Sequence, residues 1–309
     1  MKSKMKKKTI FCYKGFVMKA ISFSIDDGNL PMDEKLLKIL RPYGIRGTFN
    51  LTNTEKLSPE QYRAFYAGHG IANHCKGHPM VFIPGAEYKF SPEALTEENA
   101  DESLLYPTAD PRVFHMYPYR WRTYTDRETY YAFSEESREA LLSVFGESAV
   151  KDFVWPHGQQ ADPALHEMLK KRYRSIRKTG SLLDTTGFSL PTDLHAWTYN
   201  AVHDNLLSAA ALYEAYPDDG ELKLFCFGVH SVDYESSGRW EDLRLFGERM
   251  GNRPEKYWYA PIGEIFDYKE AVEAVTVSED RIENPTDTEI YMLLDGERIT
   301  LMPHSALRI

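Results

Sequence analysis

Two short groups of polar residues in the first quarter of the chain carry the side chains of a hydrolytic metal site. Asp26 and Asp27 end an apolar run, and His74 and His78 follow about one supersecondary unit later. One carboxylate and two imidazoles make a three-ligand site that leaves coordination positions open. The second carboxylate would lie beside the ion, where a base is needed. These residue types predict the activation of a water molecule at neutral pH.

The spacing of the two histidines allows them to share an ion if residues 74–78 form one helical turn, because side chains four apart then lie on one face. Pro79 disfavours helix at the preceding residue, so we expect the turn to end at His78. Cys75 would point elsewhere on such a turn and is not expected to be a ligand. Either group alone is weak evidence for a metal site. The two groups together are stronger evidence, because each of them follows a predicted strand.

Four segments of the chain resemble the motifs of the polysaccharide deacetylase family, the NodB-type homology domain of carbohydrate esterase family 4. Ser24–Gly28 is similar to the family's T-F-D-D-G, and His74–Pro79 to its H-[ST]-x-x-H-P. Val154–Gly158 is similar to R-x-P-Y-G, and Phe227–His230 ends a late strand with a histidine. Only the first two motifs are specific. The segments follow the family's order, and the resemblance extends over about Lys19–Ala274.

The resemblance implies a division of roles. It implies Asp27, His74 and His78 as ligands of a divalent metal ion, Asp26 as the general base and His230 as the general acid. Such a ligand set suits Zn²⁺, and Co²⁺, Ni²⁺ or Mn²⁺ could substitute. In this scheme His230 protonates the departing amine, which is too basic to leave unprotonated.

The third motif departs from the family pattern at two positions. Val154 stands where family members often have an arginine that orients the base, and Arg177 either replaces that arginine or is an ordinary surface residue. His157 stands where the family has an aromatic residue, and it could add a ligand or change the substrate. We expect a backbone N–H near His157 to help hold the oxyanion. Trp155 and Pro156 are expected beside the substrate.

Two carboxylates are candidates for orienting the general acid. Asp193, together with Trp197, loosely matches the family's fourth motif, and Asp233 lies three residues after His230. A carboxylate beside His230 would raise the pKa of the imidazole and favour its acid form. The remaining histidines, His203 among them, are interpreted as structural or exposed.

The elements that must position these residues alternate between strands and helices. Strands are predicted near 20–25, 47–51, 71–74, 151–155, 174–178, 222–229 and 257–260, with helical patterns between and after them. This alternation predicts a parallel barrel, and the resemblance implies a distorted (β/α)7 barrel of the α/β class. Active sites of such barrels lie at the carboxyl ends of the strands. Asp26, His74, Pro156 and His230 each follow a predicted strand.

The chain is predicted to have four parts. Residues 1–17 are predicted to be a mobile tail and 18–275 the barrel. A segment at about 83–129, rich in Tyr, Pro, Asp and Arg, is predicted to be an insertion, either a lid or substrate wall or a surface excursion. Residues 276–309 are predicted to be a β-hairpin appendage with a type I′ turn at Asp295-Gly296. We expect the appendage to pack on the outside of the barrel rather than bind sugar.

Composition argues against two classes of partner. The net charge of −9 over 309 residues provides no basic stripe for nucleic acid. No apolar run approaches the ~20 residues that span a bilayer. The three cysteines, Cys12, Cys75 and Cys226, are widely spaced, which favours a reducing compartment. Without a convincing signal peptide, the sequence predicts a cytoplasmic protein, and it leaves the oligomeric state open.

Taken together, these patterns predict a metal-dependent hydrolase that removes acetyl groups from N-acetylated or O-acetylated sugars. Two alternatives stay open. One is an amidohydrolase that acts on a small non-sugar amide with the same barrel. The other is a non-catalytic carbohydrate-binding protein that has kept the fold.

Overall fold

The structure, a computed structural model, describes residues 8–90, 104–116, 122–146, 149–158, 162–178 and 187–309. The strands in these ranges are β1 (Thr9–Cys12), β2 (Lys19–Asp27), β3 (Thr48–Leu51), β4 (Gly70–Asn73), β5 (Met80–Val81), β6 (Lys89–Phe90), β7 (Leu104–Pro107), β8 (Phe114–Met116), β9 (Thr123–Thr125), β10 (Asp152–Val154), β11 (Ser175–Arg177), β12 (Lys223–His230), β13 (Tyr257–Tyr259), β14 (Thr276–Val277), β15 (Arg281–Asn284), β16 (Ile290–Leu294), β17 (Glu297–Leu301) and β18 (Ser305–Arg308).

The helices are α1 (Leu30–Leu40), α2 (Pro59–Phe65), α3 (Arg127–Phe145), α4 (Pro163–Lys170), α5 (Leu206–Ala215), α6 (Ser231–Ser237), α7 (Trp240–Met250) and α8 (Ile262–Ala274). Short 3₁₀ helices lie at Arg41–Tyr43 and Pro156–Gly158. In the part of the chain that the structure describes, no helix is both long enough and apolar enough to cross a bilayer.

Seven parallel strands form the barrel. Their order is β11-β10-β4-β3-β2-β12, and β13 pairs with the first residues of β2. Irregular backbone at 194–201 joins the two ends of this order. Trp197 pairs with Arg177 at the end of β11, and Ala201 pairs with Phe227 on β12. The predicted distorted (β/α)7 barrel is confirmed.

Alternation along β2 separates the helix layer from the barrel interior. Ile21, Phe23 and Ile25 belong to the large apolar core that also contains residues of α1, α5 and α7. Successive side chains of a strand point to opposite faces, so Ser22, Ser24 and Asp26 face the interior. The apolar side chains thus anchor the strand, and its polar face carries Asp26 to the carboxyl rim.

The predicted strands and most of the predicted helices are confirmed in place, with shifts of a few residues at their ends. The capping box at Ser58 is present, since Ser58 Oγ accepts the Gln61 backbone N–H and the Gln61 side chain accepts that of Ser58. Two expectations need correction. The helical pattern in the sequence predicts a helix from Ser134, whereas α3 begins at Arg127 and is capped by Asp126. The short helix α6 after His230 was not predicted.

The insertion has its own small sheet, in the order β5-β9-β8-β7-β6. An aromatic cluster that includes Phe82, Phe90, Phe114 and Tyr124 packs on it. Residues 91–103 and 117–121 of the predicted insertion lie outside the described residues. Because α3 starts at Arg127, the insertion ends slightly before the predicted boundary at 129.

The two chain ends meet beside the barrel. The predicted hairpin is confirmed as β16 and β17, and Asp295 and Gly296 both have positive φ, as a type I′ turn requires. Strand β1 pairs antiparallel with β16. Residues 9–12 are therefore a strand and not part of a mobile tail; residues 1–7 of the predicted tail lie outside the described residues. Tyr13, Ile290 and Met292 belong to one core cluster with residues of α8. Cys12, at the end of β1, is fully buried.

A glycine on β12 makes room for the ring that closes the barrel interior. A Cβ atom at Gly228 would lie 2.1 Å from Cδ1 of Tyr199. We expect Gly228→Ala to lower the free energy of unfolding by about 1–3 kcal/mol through overpacking, measured by urea denaturation.

Gly187→Ala is the matched control. The nearest atom to the added Cβ would be the hydroxyl oxygen of Ser189 at 3.4 Å, which is an ordinary contact distance. Equal stability of the two variants would contradict the tight contact between Tyr199 and β12.

Candidate active site

A cavity of about 330 Å³ opens at the carboxyl ends of the barrel strands. Its wall combines the ends of β2 and β12 with the loops after β4 and β10. It is lined by Asp26, His74, His78, Trp155, His157, Gly158, Tyr199, Val202, His203, Gly228, Val229, His230 and Asp233. Among the described residues, the lining includes none from the insertion.

Asp27, His74 and His78 converge at this cavity. Oδ1 of Asp27 lies 3.3 Å from Nε2 of His74 and 3.4 Å from Nε2 of His78. The two Nε2 atoms are 3.1 Å apart. His74 is buried, whereas 40% of the Asp27 side chain is exposed. The three ligand atoms therefore face one point at the edge of the cavity.

The chemistry of this donor set fits a divalent cation. Nδ1 of His74 lies 2.9 Å from the carbonyl oxygen of Val154, so that nitrogen donates and Nε2 keeps a lone pair for an ion. Burial, and then the neighbouring His74, lowers the pKa of His78 to about 3, which keeps its imidazole neutral. Oδ1 of Asp27 is shielded from solvent, and no hydrogen-bond donor meets it within the described ranges. A buried carboxylate oxygen beside two imidazole nitrogens is a donor set that suits a divalent metal ion.

The backbone brings the two histidines together in a different way from the helical turn that we predicted. Residues 74–78 form a tight irregular turn in which Cys75, Gly77 and His78 have positive φ. His74 N donates to Leu51 O, and His78 N donates to Cys75 O. Helix is excluded because these left-handed residues reverse the chain. The thiol of Cys75 is buried near Tyr130 O and points away from the ligands, as expected.

Asp26 lies beside the ligands and is held by two side chains. Nη2 of Arg177 contacts both carboxylate oxygens, at 2.5 and 2.6 Å, and Nδ2 of Asn50 donates to Oδ1 at 2.6 Å. Arg177 is only 1% exposed, so the surface alternative for this residue is wrong. Burial acts to raise the pKa of Asp26, but Arg177, His74 and His230 outweigh it and lower the pKa. Asp26 is therefore ionised at neutral pH.

His230 ends β12, where it is paired in register with Asp26 on β2, and it caps α6. Its Nδ1 lies 3.0 Å from Oδ2 of Asp233, and its backbone N–H donates to the same oxygen at 3.1 Å. Burial lowers the pKa of His230, but Asp233, Asp26 and Asp27 raise it to about 9. The imidazole is therefore protonated at neutral pH. Its Nε2 lies 4.0 Å from Oδ2 of Asp27.

Asp233 rather than Asp193 is the partner of this histidine. Oδ1 of Asp193 accepts the backbone N–H of His195 at 2.8 Å, and 67% of the Asp193 side chain is exposed. Trp197 is buried against Phe266. Because 194–201 runs as the closing segment of the barrel, Asp193 lies at its start and not at the cavity, so this expectation is corrected.

The residues of the third motif form one wall. Trp155 is 2% exposed and packs against Tyr130 and Phe153, so most of its ring is core, although it also lines the cavity. Pro156 is buried beside it. His157 has a φ of 53°, and its ring packs on that of His78 with centroids 4.3 Å apart. His157 is not part of the converging donor set of the described residues.

Three residues at the site were not predicted from sequence. Asn50 contacts Asp26, Tyr199 lies over the Arg177 guanidinium at 5.1 Å, and His203 lines the cavity with Nδ1 3.9 Å from Oδ2 of Asp233. Asn50 could have been identified from the sequence, because it is a polar residue in the middle of an apolar strand. No sequence pattern marks the other two, because both lie on or after the irregular closing segment.

A second cavity of about 310 Å³ lies at the amino ends of the strands. The charged side chains on its wall are held in ion pairs: Arg174 contacts Asp152 and Asp267, and Lys151 also contacts Asp267. Arg63 and Glu264 pair with Glu60 and Arg46. We therefore consider the first cavity the candidate active site, because Asp26 and His230 line it beside the converging side chains of Asp27, His74 and His78.

The sequence and the fold were compared with known proteins. A family model described as "Polysaccharide deacetylase" matches residues 15–176. A search of curated proteins gave no match. Solved structures that are similar include an esterase of carbohydrate esterase family 4 from Streptococcus mutans, with 16% identity, 79% of this chain and 86% of that chain covered and a TM-score of 0.43. The peptidoglycan deacetylase PdaC from Bacillus subtilis has 11% identity, with 83% and 94% covered and a TM-score of 0.44.

Removal of one ligand should release the ion. We expect elemental analysis of the purified protein to find one divalent metal ion per chain, and His74→Ala or His78→Ala to lose it, because two remaining ligands bind weakly.

Cys75→Ala is the control, since Cys75 lies between the two histidines but faces away from them. Retention of the ion in the His74→Ala variant would show that these residues are not its ligands.

Proposed function

Because this chain belongs to the polysaccharide deacetylase family, we propose that it is a metal-dependent hydrolase that removes acetyl groups from N-acetylated or O-acetylated sugars. The observation that carries the proposal is the arrangement of Asp26, Asp27 and His230 at one cavity. An ionised carboxylate and a protonated imidazole, paired in register on β2 and β12, lie beside a set of metal donors. This is the equipment that hydrolysis of an amide or ester requires.

Asp27, His74 and His78 would hold the ion. Zn²⁺ suits their two nitrogens and one oxygen best, and Co²⁺, Ni²⁺ or Mn²⁺ could take its place. Bound there, the ion would supply the Lewis acidity that makes water a nucleophile at neutral pH.

Asp26 is the general base in this proposal. Its carboxylate faces the cavity and takes the proton of the attacking water. Arg177 keeps Asp26 ionised and fixes its orientation. It thereby takes the role of the arginine that family members often have at the position of Val154. Asn50 holds the carboxylate from the neighbouring strand β3, so that its position is set from two directions.

The wall formed by Trp155, Pro156 and His157 would receive the acetyl group. Trp155 and His157 line the cavity together with His74 and His78, and the buried Pro156 lies between them in sequence, before the left-handed residue His157. We propose that a backbone N–H near His157 donates to the oxyanion that forms when the carbonyl is attacked.

His230 is the general acid. With its pKa raised to about 9, its imidazole carries the proton that the departing amine needs. Asp233 maintains that pKa and also sets the tautomer, because it accepts from Nδ1 and leaves Nε2 as the donor. The pKa values of base and acid are thereby moved apart.

Substrate class is tested by acetate release in metal-replete protein. We expect release from N-acetylated chitooligosaccharides or from O-acetylated xylooligosaccharides, and little turnover of small linear or cyclic amides. Turnover of only the small amides would favour the amidohydrolase alternative, and binding of sugars without acetate release would favour the non-catalytic one.

The role of Asp26 is tested by Asp26→Asn, which keeps the shape but cannot take a proton. We expect metal content to be retained and turnover to fall by about 10²–10⁴-fold.

Asp193→Asn, at an exposed carboxylate away from the cavity, should leave turnover unchanged. Full activity of Asp26→Asn would exclude Asp26 as the base.

The pH profile tests the acid. Asp233 raises the pKa of His230, so Asp233→Asn should lower that pKa and deprotonate the acid at a lower pH. We expect the alkaline limb of kcat/KM to move down by at least about one pH unit, with the acidic limb unchanged.

Asp193→Asn again serves as the control. An alkaline limb that stays in place in Asp233→Asn would mean that His230 does not set it.

A further inference from the structure

Asp33 is a fully buried carboxylate behind the active site that the proposed chemistry does not use. It lies in the first turn of α1, which begins three residues after Asp27, the last residue of β2. Its Oδ1 accepts the hydroxyl of Ser231 at 2.6 Å, and its Oδ2 accepts the hydroxyl of Tyr66 at 2.8 Å. One carboxylate therefore joins α1, α2 and α6.

Both partners of Asp33 are neutral hydroxyl groups. Burial raises the pKa of Asp33 to about 6, although the hydrogen bonds from Ser231 and Tyr66 act to lower it. A carboxylate without a cationic partner is among the costlier groups to bury. An apolar residue would stabilise the helix packing at lower cost, so the gain from Asp33 has to come from the geometry that its two bonds impose.

Ser231 is the residue directly after His230. The ring of His230 is oriented by Asp233, which lies on the same helix α6 as Ser231. The backbone of His230 belongs to β12 and is held opposite Asp26 by the pairing with β2. The direction of its ring depends in addition on where α6 holds Asp233. The bond from Ser231 to Asp33 ties α6 to α1, which begins three residues after Asp27 at the end of β2.

We propose that Asp33 is a positioning residue for His230, and that its hydrogen bond to Ser231 holds α6 against α1, and with α6 the carboxylate of Asp233 that orients the ring of the general acid. The inference rests on the proposed function, in which His230 protonates the leaving group. Loss of this bond lets α6 shift relative to α1. A shift of about 1 Å at the acid is enough to slow proton transfer by up to about a hundredfold.

The experiment compares two leaving groups. A sugar amine requires a proton to depart, whereas 4-nitrophenolate is a stable anion and departs without one. Rates are measured with a penta-N-acetylated chitopentaose and with 4-nitrophenyl acetate for wild type, His230→Ala, Ser231→Ala and Asp33→Asn. Metal content and urea denaturation are measured in parallel.

We expect Ser231→Ala and Asp33→Asn to lower kcat on the N-acetylated sugar by about tenfold or more while the aryl ester rate stays within about twofold. Metal content should be unchanged, because none of the ligands is altered. Ser22→Ala is the matched control: Ser22 is a fully buried serine on β2 whose hydroxyl has no hydrogen-bond partner among the described residues. It should affect both rates equally.

The two levels of the argument fail separately. If His230→Ala loses the sugar amide selectively but Ser231→Ala and Asp33→Asn slow both substrates alike, Asp33 is merely structural and the inference is overturned. If His230→Ala shows no preference between the leaving groups, the acid assignment is wrong and the inference falls with it. Because Asp33→Asn keeps the shape of the side chain, a folded variant is available even if Ser231→Ala is unstable.

Discussion

The buried ion pair between Asp26 and Arg177 is the interaction on which the rest of the active site depends. The two residues belong to β2 and β11, which lie far apart in the strand order, and their side chains meet inside the barrel. Burying either charge alone would cost several kcal/mol, so each residue requires the other. The pair forms only when the barrel closes. The ionised state of Asp26 is therefore a consequence of the whole fold.

Closure also protects this pair. The segment 194–201 connects β11 to β12, and Tyr199 on it lies over the Arg177 guanidinium. Gly228 leaves the space that the Tyr199 ring occupies. With little solvent around it, Arg177 acts on Asp26 through a low dielectric and keeps it ionised beside a second carboxylate.

On the neighbouring strand β12, His230 is in the converse protonation state. His230 faces Asp26 and Asp27 and is bound to Asp233, so its imidazole retains a proton where Asp26 has lost one. Parallel pairing of β2 with β12 places His230 directly beside Asp26 in register. The proposed base and acid are therefore neighbours because their strands are neighbours. Of the proposed metal donors, Asp27 ends β2, and His74 and His78 lie on the loop after β4.

The sequence alone was sufficient to predict the strands, the parallel barrel and the residues that converge at its rim, because apolar periodicity and the Asp-Asp and His-x-x-x-His groups are local patterns. It could not decide whether Arg177 orients Asp26 or is an ordinary surface residue, nor whether Asp233 or Asp193 would meet His230. Those outcomes depend on strand register and on the path of 194–201, which has no periodicity of its own. The turn at 74–78 likewise depends on residues with positive φ, and the spacing of the two histidines does not reveal that backbone conformation. Residue types determine which chemistry is available, and only long-range packing determines which of the available groups touch.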